Sequence, residues 1–177
     1  MKTLITETDI RDGVARLADD LAVHYGDQPV TIIGVLTGSV VLLADLIRRL
    51  EMPLRIGLVY ASSYRGEMTT RGPLTIDSDM LPDIAGRNVI LVDDIFDTGH
   101  TLAEMLKLLG EHQPKSIRSV VLLRKLGRQE VNIQPDHAAF EIPDEFVVGY
   151  GLDYNDAYRN LRFIAVLEPG DLAEDSP

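Results

Sequence analysis

The chain contains no cysteine. Disulfide bonds, thiolate nucleophiles and zinc sites with cysteine ligands are therefore excluded. Long apolar runs are also absent, since none approaches the roughly 18 residues needed to span a bilayer. The first residues, MKTLITETDIRDG, have neither the apolar core nor the small-residue cleavage site of a secretory signal. These absences predict a cytoplasmic protein without a membrane partner.

The chain also has fewer basic than acidic residues. Lys and Arg number 17 against 28 Asp and Glu, which gives a formal net charge of -11. Because affinity for nucleic acid comes largely from Lys and Arg that neutralise phosphates, nucleic acid is not expected as a partner. A small anionic ligand is still compatible with this charge, provided that metal ions and backbone N–H groups supply a positive field.

Hydrophobic patterns predict one α/β domain over all 177 residues. The predicted helices are Asp9–Tyr25, Val40–Leu50 and about 102–110. The predicted strands are Val30–Leu36 and the segments that begin near Leu54, Arg87, Ser116, Glu145 and Leu161. Strands that are apolar on both faces and alternate with helices indicate a mostly parallel twisted sheet with helices on both faces.

Two segments interrupt this alternation. Residues 62–83 are long and polar, and residues 127–143 carry two prolines and little periodicity. Loops of this length in a compact domain often act as lids or small subdomains. We expect a mobile lid over about 62–83 and a flexible acidic tail at 170–177.

The most informative stretch is NVILVDDIFDTGHTL, residues 88–102. Its apolar run ends in Asp93 and Asp94, and Asp97 follows three residues later. Ligands bind beyond the carboxyl ends of the strands in an open parallel sheet. A single Asp there would most simply cap the next helix. Three like charges within five residues repel one another, so a binding site is a better interpretation than a structural turn.

The residues after these carboxylates favour a phosphate ligand. Thr98, Gly99, His100 and Thr101 combine hydroxyls and a flexible glycine with backbone N–H groups at a helix start, which suits an anion. The carboxylates can hold ribose hydroxyls or a hard cation such as Mg²⁺. The chain lacks the G-x-x-x-x-G-K-[ST] loop and a G-x-G-x-x-G after its first strand. A haloacid-dehalogenase-like phosphatase would need its two Asp separated by one residue. A sugar phosphate fits the pattern.

VILVDDIFDTGHTL resembles the phosphoribosyl-pyrophosphate (PRPP) signature of type I phosphoribosyltransferases, in which two acidic residues precede a D-T-G-x-T phosphate loop. Residues 140–161, FEIPDEFVVGYGLDYNDAYRNL, resemble the purine-site segment of the hypoxanthine, or hypoxanthine-guanine, phosphoribosyltransferases. This second match is the longer and more specific one, and the resemblance covers about residues 30–167. It implies the type I phosphoribosyltransferase fold, a mobile lid, and a small hood from the N-terminal segment and about residues 127–160.

The resemblance implies roles for the signature residues. Asp93 and Asp94 would lie at the ribose hydroxyls and, with Asp153, near Mg²⁺. Asp97 would face N7 of the purine as general base or acid. The 5′-phosphate would be wrapped by a loop made of Asp97, Thr98, Gly99, His100 and Thr101.

The same resemblance implies the purine and pyrophosphate subsites. Lys125 would donate to the purine O6, Phe146 would stack on the base, and the backbone of Val147 would recognise the ring edge. Asp153 would also lie near the 2-position of the base, and Arg159 would contact the pyrophosphate. From the residues alone, Lys125 and Arg159 would instead be solvated charges, while Phe146 and Val147 could equally be core strand residues or contacts to a base.

Two shorter matches complete the resemblance. The segment LTGS matches the pyrophosphate loop of the family and consists of Leu36, Thr37, Gly38 and Ser39. In the family, the peptide bond between the first two residues of this loop is cis. Ser63 and Tyr64 match the pair that closes the lid. Many relatives carry Lys or Arg at the position of Thr37, so only its backbone is expected to bind pyrophosphate. His100 stands at a variable position and is expected to be a spectator or a neutral donor.

The resemblance implies a Mg²⁺-dependent purine-salvage enzyme that transfers the phosphoribosyl group of PRPP to hypoxanthine, and to guanine, and releases pyrophosphate. Two alternatives stay open at this point: a PRPP-sensing regulator on the same fold, and a phosphoribosyltransferase for xanthine or a pyrimidine. The family forms dimers and tetramers, so a homo-oligomer is expected.

Overall fold

The computed structural model describes residues 1–63, 74–168 and 170–171. Its helices are α1 (Glu7–Tyr25), α2 (Val40–Ile47) and α3 (His100–Glu111). Its strands are β1 (Lys2–Ile5), β2 (Val30–Leu36), β3 (Leu54–Ser63), β4 (Leu74–Asp77), β5 (Asn88–Phe96), β6 (Ser116–Lys125), β7 (His137–Ile142), β8 (Val147–Val148) and β9 (Ile164–Val166).

Six strands form the main sheet, in the order β4-β3-β2-β5-β6-β7. All neighbouring pairs are parallel except β3 and β4, which are antiparallel. The predicted mostly parallel sheet is therefore confirmed. The parallel strands run from the same edge, so their carboxyl ends meet on one side of the molecule.

Helices cover both faces of this sheet because successive strand residues point to opposite sides. In β5, Ile90 and Val92 pack in a cluster with α1 and α2. Their neighbours Val89 and Leu91 pack in a second cluster with α3, to which α3 contributes Leu102, Met105 and Leu109. The continuous apolar run of β5 thus contributes side chains to two hydrophobic clusters, as predicted for a strand buried on both faces.

A second, three-stranded antiparallel sheet has the order β1-β9-β8 and is called the hood sheet below. Lys2 pairs with Val166 and Val147 also pairs with Val166, so the first strand of the chain meets the last. Ile5 and Ile164 belong to the α1–α2 core, which attaches the hood sheet to the main sheet.

Several predicted boundaries are corrected. β5 continues through Asp93 and Asp94 to Phe96, because both carboxylates keep the strand backbone and β5 still pairs with β6 there. Residues 137–142, assigned above to the hood, form edge strand β7 of the main sheet. The strand predicted from Glu145 is only Val147–Val148, since positive φ angles at Gly149 and Tyr150 turn the chain.

The predicted lid is partly regular structure. Tyr60–Ser63 pair antiparallel with Leu74–Asp77, so the base of segment 62–83 is a two-stranded arm that extends the main sheet. Its polar composition hid this pairing. Tyr64 and the side chain of Ser63 lie outside the described residues, as does the predicted acidic tail beyond 171.

The turn that follows β8 is held in an unusual conformation. Gly149, Tyr150 and Gly151 have φ angles of +102°, +49° and +102°. A Cβ atom on Gly151 would collide with the carbonyl oxygen of Gly38, in the loop after β2. The backbone of the turn after β8 therefore contacts the backbone of the loop after β2. Glycine is required at position 151 both because of its positive φ angle and because a larger residue would not fit.

We predict that Gly151→Ala lowers the free energy of unfolding by about 1–3 kcal/mol or more, because it adds a left-handed strain to a steric collision. The measurement is urea unfolding. Gly110→Ala is the matched control: Gly110 lies in α3, and a Cβ added there would meet no described atom within 4 Å, so alanine should stabilise by about 0.5–1 kcal/mol. Unchanged unfolding of Gly151→Ala would contradict the close contact.

Candidate active site

A cleft of about 580 Å³ opens beyond the carboxyl ends of β2 and β5. Its walls come from the loop after β2, the end of β5, the start of α3 and the turn after β8. Twelve of the residues singled out from the sequence line it: Leu36, Thr37, Gly38, Asp93, Asp94, Asp97, Thr98, Gly99, Thr101, Phe146, Asp153 and Arg159. Segments far apart in the chain therefore meet at one place.

Asp93 and Asp94 form the floor of the cleft, both partly buried at the end of β5. Oδ1 of Asp93 accepts the backbone N–H of Asp94 at 2.9 Å, and Oδ1 of Asp94 accepts that of Ile95 at 2.7 Å. Burial, with the charge of Asp94 beside it, raises the pKa of Asp93 well above its ordinary value. Burial also raises the pKa of Asp94. The charge of Arg159 acts on the pKa of Asp94 in the opposite direction, but among the described residues no salt bridge joins either carboxylate to a cation.

The loop after β2 crosses directly over Asp94. The Leu36–Thr37 peptide bond is cis, as the resemblance implies. A Cβ on Gly38 would collide with Oδ2 of Asp94, so only glycine lets the loop pass this close to the carboxylate. Ser39 is fully buried and its hydroxyl donates to the carbonyl of Val35 at 2.6 Å. Ser39 thus holds the loop and does not line the cleft.

The start of α3 supplies backbone donors. Gly99, with φ +91°, precedes the helix, and a Cβ there would collide with Val131 and Phe96. Among the described residues no N-cap side chain bonds to the first turn of α3, so its N–H groups are available to an anion. Nε2 of His100 lies 2.9 Å from Oε2 of Glu130, and His100 is not among the cleft-lining residues. Only the backbone of His100 belongs to this anion site.

Asp97 belongs to a cluster of two carboxylates and two cations. Oδ1 of Asp97 accepts from Nε of Arg128 at 3.0 Å, and Oδ2 lies 3.9 Å from Nζ of Lys125. Asp144 contacts the same cations, at 3.5 Å from Lys125 and 3.6 Å from Arg128. The side chain of Lys125 is 12% exposed, so its ammonium is held largely inside the cluster.

The far wall of the cleft carries a cation and two aromatic rings. Arg159 donates from Nη1 to the carbonyl of Gly151 at 2.8 Å, and its Nη2 lies 2.8 Å from Oδ1 of Asp153. Phe146 is 42% exposed and its ring meets Tyr154 edge to face, with centroids 5.7 Å apart. A flat apolar ligand can pack here.

The remaining singled-out residues lie outside the cleft lining. Lys125 reaches toward it only through Asp97. The side chain of Val147 is buried in the core, while its backbone belongs to β8. Tyr64 and the side chain of Ser63 are not described. Lys125 would therefore have to move to reach a purine in the cleft, whereas Val147 could act only through its backbone, as the resemblance implies.

The chain matches the family model described as "Phosphoribosyl transferase domain" over residues 4–155. It is 38% identical to a hypoxanthine phosphoribosyltransferase of Haemophilus influenzae over 164 residues, 91% of this chain and 92% of the relative. A hypoxanthine-guanine phosphoribosyltransferase of Staphylococcus aureus is 38% identical over 168 residues, 95% of this chain and 94% of the relative.

Solved structures agree. A hypoxanthine-guanine phosphoribosyltransferase of Bacillus anthracis, with a HEPES molecule in its active site, superposes with a TM-score of 0.89 at 38% identity, covering 95% of this chain and 99% of that one. The Trypanosoma cruzi hypoxanthine phosphoribosyltransferase gives 0.88 at 37% identity, covering 98% of both chains. The chain belongs to the hypoxanthine phosphoribosyltransferase family.

Membership of this phosphoribosyltransferase family confirms the resemblance, the fold class and the enzyme class expected from the sequence. No helix in the described part of the chain is long and apolar enough to cross a membrane. Family membership does not test the individual site residues, whose roles are taken up below.

Sequence reasoning missed Tyr154, which lines the cleft, and two residues beside the cleft, Arg128 and Asp144. Arg128 and Asp144 have no local pattern that marks them: Arg128 pairs with Asp97, and Asp144 pairs with Lys125 and Arg128, only because the fold brings the ends of β6 and β7 there. Tyr154 lies within the matched purine segment but was not singled out. A search for counter-charges to Asp97 near Lys125 could have found Arg128, three residues later in the chain.

The predicted metal site is not a closed cage in this phosphoribosyltransferase. Within residues 1–63, 74–168 and 170–171, no three His, Asp or Glu side chains are grouped closely enough to hold an ion. Asp153 pairs with Arg159 instead of joining Asp93 and Asp94. Mg²⁺ commonly uses one or two carboxylates together with substrate phosphates and water, so a partly buried, unneutralised Asp pair still fits it.

We predict that Asp93→Asn stabilises the ligand-free protein at neutral pH. The folded-state pKa of Asp93 is raised, so the penalty is absent below the ordinary Asp pKa of 3.8 and grows as the pH rises toward the folded value. The melting temperature should rise by roughly 2–4 °C for each kcal/mol of repulsion removed. Differential scanning calorimetry at a series of pH values above 3.8 tests this, because the gain should grow until the pH passes the raised pKa of Asp93 and then stay constant.

Asp12→Asn is the control for this experiment, because Asp12 is an exposed carboxylate on α1 paired with Arg11. It should leave the melting temperature nearly unchanged at every pH. A variant Asp93→Asn that is less stable than the wild type at neutral pH would show that the charged form is favoured by the fold.

Proposed function

We propose that the chain transfers the 5-phosphoribosyl group from PRPP to hypoxanthine, and to guanine, and releases pyrophosphate. The observation that carries the proposal is the position of Asp97. It stands between the anion-binding start of α3 and a cation cluster, in the same cleft as the Asp93–Asp94 pair and Phe146. This arrangement offers separate places for a phosphate, a ribose and a base.

The ends of the substrate would be held by different elements. The N–H groups of the first turn of α3 would bind the 5′-phosphate, with Thr98 and Thr101 at the same wall. Asp93 and Asp94 would accept hydrogen bonds from the ribose hydroxyls. The backbone of the loop 36–39 and Arg159 would hold the pyrophosphate.

Mg²⁺ is part of the proposal. It would be held by Asp93 and Asp94 together with substrate oxygens and water, and would neutralise negative charge on the pyrophosphate. The support is the raised pKa of both carboxylates, since an unneutralised buried pair gains most from an added cation. Asp153, bound to Arg159, would act through that guanidinium or at a second ion.

The reaction would depend mainly on stabilising the charges that develop in the transition state. As the bond from the sugar C1′ to pyrophosphate breaks, positive charge develops on the ribose and negative charge on the leaving group. The fixed groups of the cleft hold the base and sugar in line, which removes much of the entropic cost. Segment 62–83, whose base is the β3–β4 arm, would close over the reacting centre and keep water away.

Asp97 would exchange the proton of the purine nitrogen, because a carboxylate within hydrogen-bond reach can take part in that transfer. Lys125 and Arg128 hold both of its oxygens in place. Because a carboxylate has about four lone-pair sites, Asp97 can accept from the purine while Arg128 still holds it. Lys125 would then be placed to donate to O6 of the base.

The proposal also includes a cytoplasmic location and a homo-oligomer, a dimer or tetramer. For the Trypanosoma cruzi relative, a role of the C-terminal region in the oligomeric state is described.

The decisive assay of the proposed function mixes the protein with PRPP, Mg²⁺ and a panel of bases and follows consumption of each base by absorbance. Transfer to hypoxanthine and guanine supports the proposal, whereas no consumption of any base favours a PRPP-sensing regulator.

We predict that Asp97→Asn lowers kcat by roughly 10²- to 10⁴-fold, the usual range for a general acid–base group, with the fold intact. Asp144→Asn is the matched control, because it removes the same charge from the same cation pair at a position outside the cleft lining. Its kcat should stay within a few-fold of the wild type. Near-normal turnover by Asp97→Asn would remove Asp97 from the mechanism.

We predict that Lys125→Ala reduces the preference for hypoxanthine over adenine by roughly 10- to 100-fold in kcat/KM, the effect of one hydrogen bond from a charged donor. Adenine carries a donor at the same position and leaves the lysine unpaired. Arg124→Ala is the control, since the neighbouring Arg124 pairs with Glu141 and does not line the cleft. An unchanged preference in Lys125→Ala would reject the O6 assignment.

A further inference from the structure

One hydrogen bond joins the turn after β8 to α2, outside the cleft. The hydroxyl of Tyr150 donates to Oδ2 of Asp45 at 2.6 Å. Tyr150 is 7% exposed, and Asp45 also pairs with Arg48 one turn further along α2. Neither Tyr150 nor Asp45 lines the cleft, so neither touches the substrates directly.

The backbone of Tyr150 adopts a conformation that a tyrosine rarely takes. With φ +49° it occupies the left-handed region, and the glycines on both sides have positive φ as well. Glycine or asparagine adopts this conformation at lower cost than tyrosine. The cost at this position is offset by what the side chain binds, which here is Asp45.

The two ends of this hydrogen bond support the two halves of the pyrophosphate subsite. α2 begins at Val40, directly after the loop 36–39, and Asp45 lies in its second turn. Gly151 follows Tyr150. Its carbonyl oxygen accepts a hydrogen bond from Nη1 of Arg159, and its Cα packs against the carbonyl of Gly38. The bond therefore lies behind both the loop and the guanidinium that would hold the leaving group.

The charge around Tyr150 keeps the hydroxyl a donor. Burial, and then the hydrogen bond to the Asp45 carboxylate, raise the pKa of Tyr150 above its ordinary value. The positive charges of Arg49 and Arg48, just after α2, act on this pKa in the opposite direction. The hydroxyl stays protonated at every pH at which the enzyme would work, so the bond to Asp45 persists in the folded state.

We propose that Tyr150 is a positioning residue for the pyrophosphate half of PRPP. By holding α2 through Asp45, it fixes the loop 36–39 relative to Arg159, and so determines affinity for PRPP and pyrophosphate while leaving affinity for the purine unchanged. This inference rests on the proposed function, because it assigns a purpose to the same cleft.

The test is Tyr150→Phe, which removes only the hydroxyl. We expect the KM for PRPP to rise about tenfold, the effect of one buried hydrogen bond of ordinary strength. The Kd for pyrophosphate with Mg²⁺, measured by isothermal titration calorimetry, should rise by a similar factor. The KM for hypoxanthine should stay within about twofold, because Lys125 lies at the end of β6 and the carbonyl of Phe146 is held by the N–H of Leu167, so neither depends on the bond to Asp45.

Asp45 provides a second variant at a partly exposed helix position that tolerates substitution. Asp45→Ala should reproduce the rise in the KM for PRPP, whereas Asp45→Asn keeps an acceptor oxygen and should largely restore the wild-type value. The double variant of Tyr150→Phe with Asp45→Ala should be no worse than either alone, since both remove one interaction. Arg48→Ala separates the effect of the Asp45–Arg48 pair.

Tyr25→Phe is the control for loss of a buried tyrosine hydroxyl outside the cleft lining. Tyr25 is buried at the carboxyl end of α1, and its hydroxyl has no hydrogen-bond partner in the described part of the chain, so its removal should leave the KM for PRPP unchanged. A Tyr150→Phe protein with a lowered melting temperature and an unchanged KM for PRPP would overturn the proposal, as would an equal rise in the KM for both substrates. If Tyr150→Phe does not fold, the Asp45 pair of variants decides the question.

Failure of the proposed function gives a different result. A wild-type protein that consumes no base removes the catalytic function, yet the calorimetric Kd for pyrophosphate still compares the wild type with Tyr150→Phe and Asp45→Ala. Wild-type pyrophosphate binding that is unaffected by either variant would overturn the positioning role whether or not the protein is a catalyst.

Discussion

The site depends on a close contact of three backbone segments around Gly38. The carboxylate of Asp94 lies against one side of this glycine, and Gly151 lies against its carbonyl oxygen. No side chain fits between them. The end of β5, the loop after β2 and the turn after β8 are thereby held at van der Waals distance. Because protein interiors move as packed units, this contact sets the spacing of every group in the cleft.

Under the proposed function, an acidic protein would bind an anion here by placing its charges unequally. Within the described residues, the Asp93–Asp94 pair has no salt bridge to a cation, while Asp97 has two. The anion itself would be bound by backbone N–H groups at the start of α3 and by Arg159. Fixed dipoles can bind phosphate without adding net charge, so a net charge of -11 is compatible with such a site. The unequal arrangement would also give each carboxylate a different role.

Local patterns in the sequence predicted the locally encoded parts of the structure. Apolar spacing within a single element predicts β2, α1 and α3, whose observed bounds agree with the prediction to within a few residues. The residues from Asp93 to Thr101 are contiguous in the chain, so this group could also be recognised locally. Arg128 and Asp144 could not be found in this way, because their partners lie far away in the chain and meet them only across β5 and β6. Strand β7 was missed because it is an edge strand, partly buried and preceded by proline. Lys125 and Arg159 were identified by resemblance alone, since an isolated basic residue has no pattern that distinguishes a ligand contact from a solvated charge.

The pairing of β1 with β9 has a consequence for the order of folding. Lys2 lies opposite Val166, so the two paired strands are separated by most of the described chain. Loop-closure entropy makes such a distant pairing slow to form relative to local contacts. The main sheet can be assembled before β1 and β9 meet. Asp153 and Arg159, which line the far wall of the cleft, belong to the segment between β8 and β9. That wall is therefore expected to take its final place late in folding.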